Sequence, residues 1–243
     1  AERVRPGLDD KVLTEWNALM LAALAEAAAA TGRDDWLHEA TATAEFLCAH
    51  LRRPAEGGGR GRWMRSWQVD GGAQHLGYAS DHGALVDGFL SLYEATGELR
   101  WLHEARDTAE SMLELFLDSD GTLFSTGDDA EELVTRPKDL MDTATPSANS
   151  LAAAGLLRLA AHTGEDRYGG HARRILGNLG ALASKHALAF GYLLWAVGLH
   201  SVEPTEVVVS GERRDLVREV HRRFTPHTVL AWGERGDGPL WEG

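Results

Sequence analysis

The sequence has a single cysteine, Cys48, in 243 residues. This scarcity excludes an intrachain disulfide, a CxxC redox pair and a cysteine-based zinc site. Cys48 lies on a predicted helix with no cationic neighbour in sequence, and we interpret it as a packing residue. Because this cysteine usage fits a reducing compartment, we expect a cytoplasmic location.

Positive charge is also scarce, since 24 Lys and Arg residues against 37 Asp and Glu residues give a formal net charge of -13. This charge opposes nonspecific binding to nucleic acid or to an anionic membrane surface, and we expect neither partner. No run approaches the roughly 18 apolar residues that cross a bilayer, and the N-terminus lacks the apolar core of a signal peptide. The chain does not begin with methionine, and we expect it to be a piece of something longer.

Several signatures of catalysis or cofactor binding are absent. The sequence contains no HExxH pair, no Walker A loop, no GxSxG elbow and no GxGxxG after a predicted strand. We therefore expect neither a metal ion nor a cofactor.

The feature that is present is a repeat. Three similar segments begin at Ala30, Ala95 and His162, with spacings of 65 and then 67 residues, and each contains a Thr-Gly pair between two apolar helical patterns. Glycine tolerates the left-handed conformation that ends a helix. A repeat of this period built from two helices predicts stacked helical hairpins.

Helical periodicity supports both helices of each hairpin. In the first helices, apolar residues lie three, seven and ten positions after a polar residue, which places them on one helical face. The three sets are Asn17, Met20, Leu24 and Ala27; His82, Leu85, Phe89 and Leu92; and Asn149, Ala152, Leu156 and Leu159. The second helices carry stripes with spacings of three and four. These are Leu37, Ala40, Ala44, Leu47 and Leu51; Leu102, Ala105, Ala109, Met112 and Phe116; and Gly169, Ala172, Leu176, Leu179 and Ala183.

Other segments connect or follow the hairpins. Glycine-rich connections over about 57–67 and 120–126 predict short strands or β-turns on one rim, and a helix over about 187–200 begins a fourth hairpin. Beyond residue 204, a strand at 206–209, a helix at about 215–224 and a strand at 228–232 predict a β-α-β appendage. We divide the chain into helical hairpins over 1–203 and this appendage over 204–243.

Together these patterns predict an all-α-dominant fold. Hairpins of this kind build open superhelices or closed α/α toroids, and long insertions on one rim favour the toroid. Three hairpins and one further helix would form only a partial ring of six hairpins. We expect the closing half to be missing from this chain.

Polar residues are densest just before the third hairpin, over residues 136–150. This stretch supplies Arg136, Lys138, Asp139, Asp142 and Asn149 near a helix N-terminus, where free backbone donors and the helix dipole favour an anion or a polar ligand. The alternative is that these side chains brace the loop, with the two aspartates paired to the two cations.

Equivalent positions in the repeats suggest a shared site. Asn17, His82 and Asn149 should converge at one mouth, joined by Asp81 and Asp142. A histidine beside carboxylates suits proton transfer near neutral pH, although a histidine at a helix start also serves as a local cap. Four aromatic residues could line a sugar site or belong to the core: Trp16, Trp63, Trp67 and Tyr78.

The same residues carry a family resemblance. Residues 5–20 and 136–150 resemble the two signature stretches of the YyaL, or spermatogenesis-associated thioredoxin-like, family, and residues 121–124 and 206–209 follow in the same order. The resemblance implies a thioredoxin-like domain followed by an α/α toroid similar to six-hairpin glycosidases and N-acylglucosamine 2-epimerases. This chain corresponds to the C-terminal portion, so the rest of the toroid and the thioredoxin-like domain are implied partners.

Two departures from the family pattern bear on mechanism. The family usually has an acidic residue where this chain has Ser80, and often tyrosine where it has His82. The lost carboxylate at Ser80 weakens a two-carboxylate glycosidase mechanism in particular.

We therefore hypothesise a carbohydrate-active toroid that hydrolyses or epimerises a sugar in a polar funnel. The candidate catalytic residues are Asp81, His82 and Asp142, and the candidate substrate-binding residues are Trp16, Asn17, Arg136, Lys138, Asp139 and Asn149. The alternative is a noncatalytic scaffold that presents clients to the thioredoxin-like domain.

Overall fold

A computed structural model describes residues 3–4, 7–54, 61–131, 134–202, 204–233 and 239–241. The Arg5-Pro6 pair of the first signature stretch and the glycine-rich residues 57–60 lie outside this part of the chain. The helices of the described residues are α1 (Thr14–Thr31), α2 (Asp34–His50), α3 (Ala79–Thr96), α4 (Leu99–Phe116), α5 (Ala148–Thr163), α6 (Asp166–Lys185), α7 (Gly191–Ser201) and α8 (Arg214–His221). The strands are β1 (Val12–Leu13), β2 (Arg52–Arg53), β3 (Arg62–Gln68), β4 (Gly72–Leu76), β5 (Thr205–Ser210) and β6 (Thr228–Gly233).

The predicted hairpins are the pairs α1–α2, α3–α4 and α5–α6. The first helix of each ends at the glycine of the Thr-Gly pair, Gly32, Gly97 or Gly164, with φ of 72°, 72° and 68°. Helices α1, α3, α5 and α7 pack side by side, and α2, α4 and α6 each pack behind their own hairpin partner. We call the first set the inner helices and the second set the outer helices.

The buried faces of the outer helices agree with the sequence pattern. All the stripe residues of α2, α4 and α6 are buried except Leu37, which is half-buried. In α1, however, the predicted face is wrong, because Met20 is exposed and the neighbouring positions Ala18, Leu21 and Ala25 are buried. Helix α1 is apolar all round, so its periodicity cannot indicate which face meets the core.

The inner helices approach closely where glycine faces a neighbouring helix. A Cβ added at Gly83 of α3 would lie 2.8 Å from Cβ of Leu151 in α5. One added at Gly155 of α5 would lie 2.9 Å from Cγ1 of Val86 in α3. Close packing of α3 against α5 brings their N-terminal ends together.

A small antiparallel sheet fills the connection between the first two hairpins. Its central strand β3 pairs with β1, β2 and β4, with Val12 opposite Trp67 and Ser66 opposite Gln74. The buried Thr14 hydroxyl donates to the Met64 carbonyl oxygen at 2.6 Å, which ties the start of α1 to β3. The second predicted connection forms only a single bridge, between Leu117 and Leu123.

The C-terminal segment forms the predicted β-α-β arrangement. Strands β5 and β6 are parallel, and Trp232 Nε1 donates to the Glu94 carbonyl oxygen at 2.8 Å near the C-terminal end of α3. Helix α8 ends earlier than predicted, and a 3₁₀ turn at Ala187–Ala189 precedes α7. Within the described part of the chain, no helix has the length and apolarity needed to cross a membrane.

Candidate functional site

An open cleft lies where the N-terminal ends of α1, α3 and α5 meet. Its volume is about 320 Å³, which falls in the range typical of small-molecule sites. We call it the cleft, and it is lined by Glu15, Trp16, Arg65, Tyr78, Ser80, Ser125, Asp139, Thr145 and Ala148. Three helix starts, strand β3 and the loop before α5 thus supply its walls.

One arginine holds two carboxylates at the floor of the cleft. Arg65 Nη1 lies 3.1 Å from Oε2 of Glu15 and 3.0 Å from Oδ1 of Asp81. The Ser80 hydroxyl also donates to Oε2 of Glu15 at 2.9 Å. These contacts hold Glu15 in one orientation at the edge of the cleft.

Asp139 provides a second carboxylate in the cleft. Burial raises the pKa of Asp139, and the negative charges of Glu15 and Asp142 raise it further. Its favourable contact is the backbone N–H of Ala148 at the start of α5. A raised pKa makes Asp139 a stronger base than a free aspartate.

Two aromatic rings flank these carboxylates. Trp16 is 59% exposed and Tyr78 is 43% exposed, and the Arg65 guanidinium lies 4.6 Å from the centre of the Tyr78 ring. The other two aromatic candidates lie elsewhere. Trp63 is buried in the core, and Trp67 packs against the Phe46 ring.

His82 lies inside the protein and does not line the cleft. Its Nδ1 is 2.9 Å from the Tyr78 carbonyl oxygen, which requires a proton on Nδ1, and its ring packs edge-on against Phe116. Burial lowers the pKa of His82 to about 3, so the imidazole is neutral at physiological pH. His82 therefore packs in the core, and its ring N–H caps the start of α3 by binding the Tyr78 carbonyl oxygen.

Asp81 and Asp142, the other two predicted catalytic residues, cap helices. Asp81 accepts hydrogen bonds from the backbone N–H groups of Tyr78 at 2.6 Å and Glu15 at 2.9 Å, and burial raises its pKa to about 6. Asp142 accepts from the N–H of Ser147 at 2.9 Å and of Tyr192 at 2.8 Å, so it joins the starts of α5 and α7. Neither side chain lines the cleft.

The side chains of the two predicted asparagines form hydrogen bonds with backbone groups. The Asn17 amide donates to the Leu13 carbonyl oxygen at 2.8 Å. Asn149 accepts from the N–H of Leu123 at 2.8 Å and donates to the Asp139 carbonyl oxygen at 2.9 Å. Asn149 therefore fixes the loop that carries Asp139 without facing the cleft itself.

The two predicted cations brace the loops before α5. Lys138 lies 2.5 Å from Asp118 and 2.6 Å from Asp120, and its ammonium lies 4.9 Å from the Phe124 ring centre. Arg136 donates to the Thr126 carbonyl oxygen at 2.5 Å and also lies over the Phe124 ring. Bracing by Lys138 matches the alternative stated from sequence, although its partners are not Asp139 and Asp142.

The structure thus keeps Trp16 and Asp139 of the predicted site in the cleft, together with the aromatic candidate Tyr78. It adds Glu15 and Arg65, which sequence reasoning missed. Glu15 precedes Asn17 by two positions, and residues two apart on a helix lie about 200° apart around its axis. The repeat spacing of 65 does align Glu15 with Ser80, and that alignment is the signal that could have found Glu15. Arg65 has no such signal, because pairing in the sheet places it.

Among the described residues, neither a reactive thiol nor a metal-binding cluster is a further source of chemistry. Burial raises the pKa of the Cys48 thiol to about 12, so it is not ionised at neutral pH. In the part of the chain that the structure describes, no group of three or more His, Cys, Asp or Glu side chains could hold a metal ion.

Comparison with known sequences supports the resemblance found in the motifs. Residues 8–128 match the model of the N-acylglucosamine 2-epimerase (GlcNAc 2-epimerase) family. Spermatogenesis-associated protein 20 of Homo sapiens is 32% identical over 242 residues, which cover 94% of this chain and 30% of that protein. Its Mus musculus counterpart is 29% identical over the same shares of both chains. The chain thus spans about 30% of the length of these curated relatives.

Comparison with solved structures shows the fold. A GH76 alpha-mannanase of Bacteroides thetaiotaomicron superposes with a TM-score of 0.60 at 16% identity, covering 97% of this chain and 66% of that one. The cellobiose 2-epimerase of Spirochaeta thermophila gives 0.55 at 16% identity, covering 70% and 43%. The predicted α/α toroid class is confirmed, with small sheets added to the helices.

Proposed function

Because this chain is homologous over nearly its whole length to spermatogenesis-associated protein 20 and has the toroid fold of glycosidases and sugar 2-epimerases, we propose that its cleft binds a sugar. The observation that carries the proposal is the combination of two carboxylates and two exposed aromatic rings in one cleft. Aromatic faces bind the apolar face of a sugar ring, and carboxylates accept from its hydroxyl groups. Both kinds of group line the walls of the cleft at Trp16, Tyr78, Glu15 and Asp139.

The proposed chemistry is proton exchange during hydrolysis or epimerisation of that sugar. Asp139 would act as the acid–base group that takes up a proton and returns it within each turnover, since its pKa is raised and it is open to the cleft. Glu15 would orient the sugar through its fixed carboxylate, which Arg65 and Ser80 hold in place. This assignment replaces Asp81, His82 and Asp142, whose side chains are engaged elsewhere.

The proposal is tested by measuring sugar binding with the Trp16→Ala variant. Ligand-observed NMR against a panel of hexoses and disaccharides should give dissociation constants about three- to tenfold higher than for the unchanged protein, because one stacking surface is lost. Trp16 is largely exposed, so the variant should keep its fold. For a sugar that is turned over, Asp139→Asn should remove the turnover.

Phe224→Ala is the matched control, because Phe224 is an exposed aromatic residue on the appendage, outside the cleft. It should leave sugar affinity unchanged. Equal losses in both variants, or no binding of any sugar to the unchanged protein, would argue against the cleft as a sugar site.

A noncatalytic scaffold is the second candidate function. The observation that favours it is the bracing role of the 136–150 stretch, in which Lys138, Asp142 and Asn149 all hold loops or helix ends. In that case none of the hexoses and disaccharides would bind. Affinity capture with this chain and with the thioredoxin-like domain of the family would instead recover the same client protein.

We also propose that the remaining hairpins of the ring cover the free flanks of α1 and α7. Helix α1 is apolar all round yet exposes Trp16 and Met20, and α7 exposes Leu194. A helix with that composition is normally buried on every side. Helices α3 and α5, which have an inner helix on both flanks, are buried over most of their length.

A further inference from the structure

The charges around the cleft are unequal in number. Glu15 and Asp139 line the cleft and Asp81 lies beneath it, whereas Arg65 is the one cationic side chain among the described lining residues. Three carboxylates and one guanidinium group therefore lie in or beneath the cleft. The sign of this imbalance bears on the kind of sugar that the cleft can take.

The Nη1 group of Arg65 is already shared between two carboxylates of the protein. Its Nη1 donates to Glu15 at 3.1 Å and to the two carboxylate oxygens of Asp81 at 3.0 and 3.1 Å, and the group stacks on the Tyr78 ring. An incoming carboxylate that approached this guanidinium would lie beside the buried carboxylates of Glu15 and Asp81, and their negative charges would repel it.

The helix starts offer little attraction to an anion. The N-terminal ends of α1, α3 and α5 carry partial positive charge, which normally favours negative groups. Here the protein supplies those groups itself. Asp81 accepts from the N–H groups of Glu15 and Tyr78, and Asp142 accepts from the N–H of Ser147.

Asp139 is the carboxylate that still has room for a cation. It is exposed to the cleft and makes no ion pair among the described residues, and its contact with the Ala148 N–H leaves lone pairs free. Its pKa is raised first by partial burial and then by the repulsion from Glu15 and Asp142, and a bound cation would oppose that repulsion. A protonated amine of the ligand could supply that positive charge.

Resting on the proposed sugar site, we propose that the cleft prefers a sugar with a protonated amino group, such as glucosamine, to the corresponding neutral sugar and rejects a uronic acid. Asp139 is the residue that sets this preference, and the excess of carboxylates over the one guanidinium group is the reason for the rejection. The substrate class is therefore amino sugars.

The experiment compares glucosamine, glucose and glucuronate as ligands of the protein at about pH 6, where an amine of this kind is protonated. Titrations followed by the Trp16 indole resonance should give glucosamine about fivefold tighter binding than glucose, the gain of one partly exposed ion pair. Glucuronate should bind more weakly than glucose. Raising the salt concentration to about 0.5 M should reduce the differences in affinity among the three sugars, because salt screens partly exposed charges.

Asp139→Asn should bring the glucosamine-to-glucose affinity ratio close to one, whereas Asp70→Asn, an exposed carboxylate on the β3–β4 turn, should keep the original ratio. If the unchanged protein binds glucose but favours glucuronate or shows no preference, the charge selectivity is wrong and the sugar site stands. If none of the three sugars binds while other sugars of the panel do, the amino-sugar assignment fails. If no sugar binds at all, the proposed function fails with it.

Discussion

At the start of an inner helix, the position of a residue around the helix axis decides whether its side chain faces the cleft or the core. Glu15 and Ser80 are in the first turns of their helices and line the cleft, whereas His82 lies two positions after Ser80 and is buried. The angle of about 200° between such positions separates a side chain that faces the cleft from one that faces the core. His82 is thus a residue whose chemistry is decided by burial.

His82 should make stability depend on pH. Its pKa is about 3 in the folded protein and about 6.5 when unfolded, so between those values the unfolded chain binds the extra proton. The contribution of His82 to the free energy of unfolding should therefore be complete above about pH 6.5. It should be lost progressively as the pH falls from about 6.5 towards 3. Urea titrations at several pH values would measure this slope.

His82→Asn removes the titrating group and should flatten the pH dependence in this window. The same change at the exposed His103 serves as the control and should leave the slope in place. An unchanged slope in the His82 variant would mean that other groups cause the acid sensitivity.

At the scale of elements, the three hairpin turns share a Thr-Gly pair and differ in their surroundings. Gly32 and Gly97 both end an inner helix at φ 72°. A Cβ added at Gly32 would meet nothing within 4 Å, but one added at Gly97 would lie 2.7 Å from the Trp232 carbonyl oxygen. The appendage therefore packs directly on the second turn.

Gly97→Ala should be more destabilising than Gly32→Ala. Both substitutions carry the left-handed backbone penalty of roughly 1–2 kcal/mol, and Gly97→Ala adds the clash with β6. Thermal unfolding of the two variants would measure the difference. Equal losses of stability would show that the appendage moves aside at little cost.

In the part of the chain that the structure describes, the row of inner helices ends at α1 and α7, each of which packs against an inner helix on one flank only. In α1 the free flank carries Trp16 and Met20, next to the cleft. The solved toroids extend beyond the matched region, since this chain covers 43% of the cellobiose 2-epimerase chain. Covering these flanks would also enclose the open side of the cleft.

Met20→Asp, made in a chain that carries further hairpins, tests the proposal that those hairpins cover the flank of α1. If hairpins pack there, the charge is buried without a partner and the free energy of unfolding should fall by about 2 kcal/mol or more. Val69→Asp on the exposed β3–β4 turn is the control and should stay within about 0.5 kcal/mol. Similar small effects in both variants would show that the flank of α1 remains in water.

Local patterns predicted most of the helices but only part of the candidate site. The outer-helix stripes were right because those helices are amphipathic, and the face of α1 was wrong because alanine and leucine surround it. Asp139 was predicted from its place before a helix start, and Trp16 was predicted as an aromatic residue that could line a sugar site. Glu15 was overlooked beside them, and Arg65 could not be found, because its role depends on the pairing of β3 with strands distant in sequence.

The sequence by itself determined the repeat, the hairpins, their glycine stops and the β-α-β appendage, because each follows from periodicity and turn chemistry within a short stretch. Only the tertiary structure decided which polar groups meet. In the folded protein His82 is buried, Asp81 and Asp142 cap helices, and Arg65 pairs with Glu15. Those outcomes depend on close approach between elements far apart in the chain, which local residue patterns do not encode.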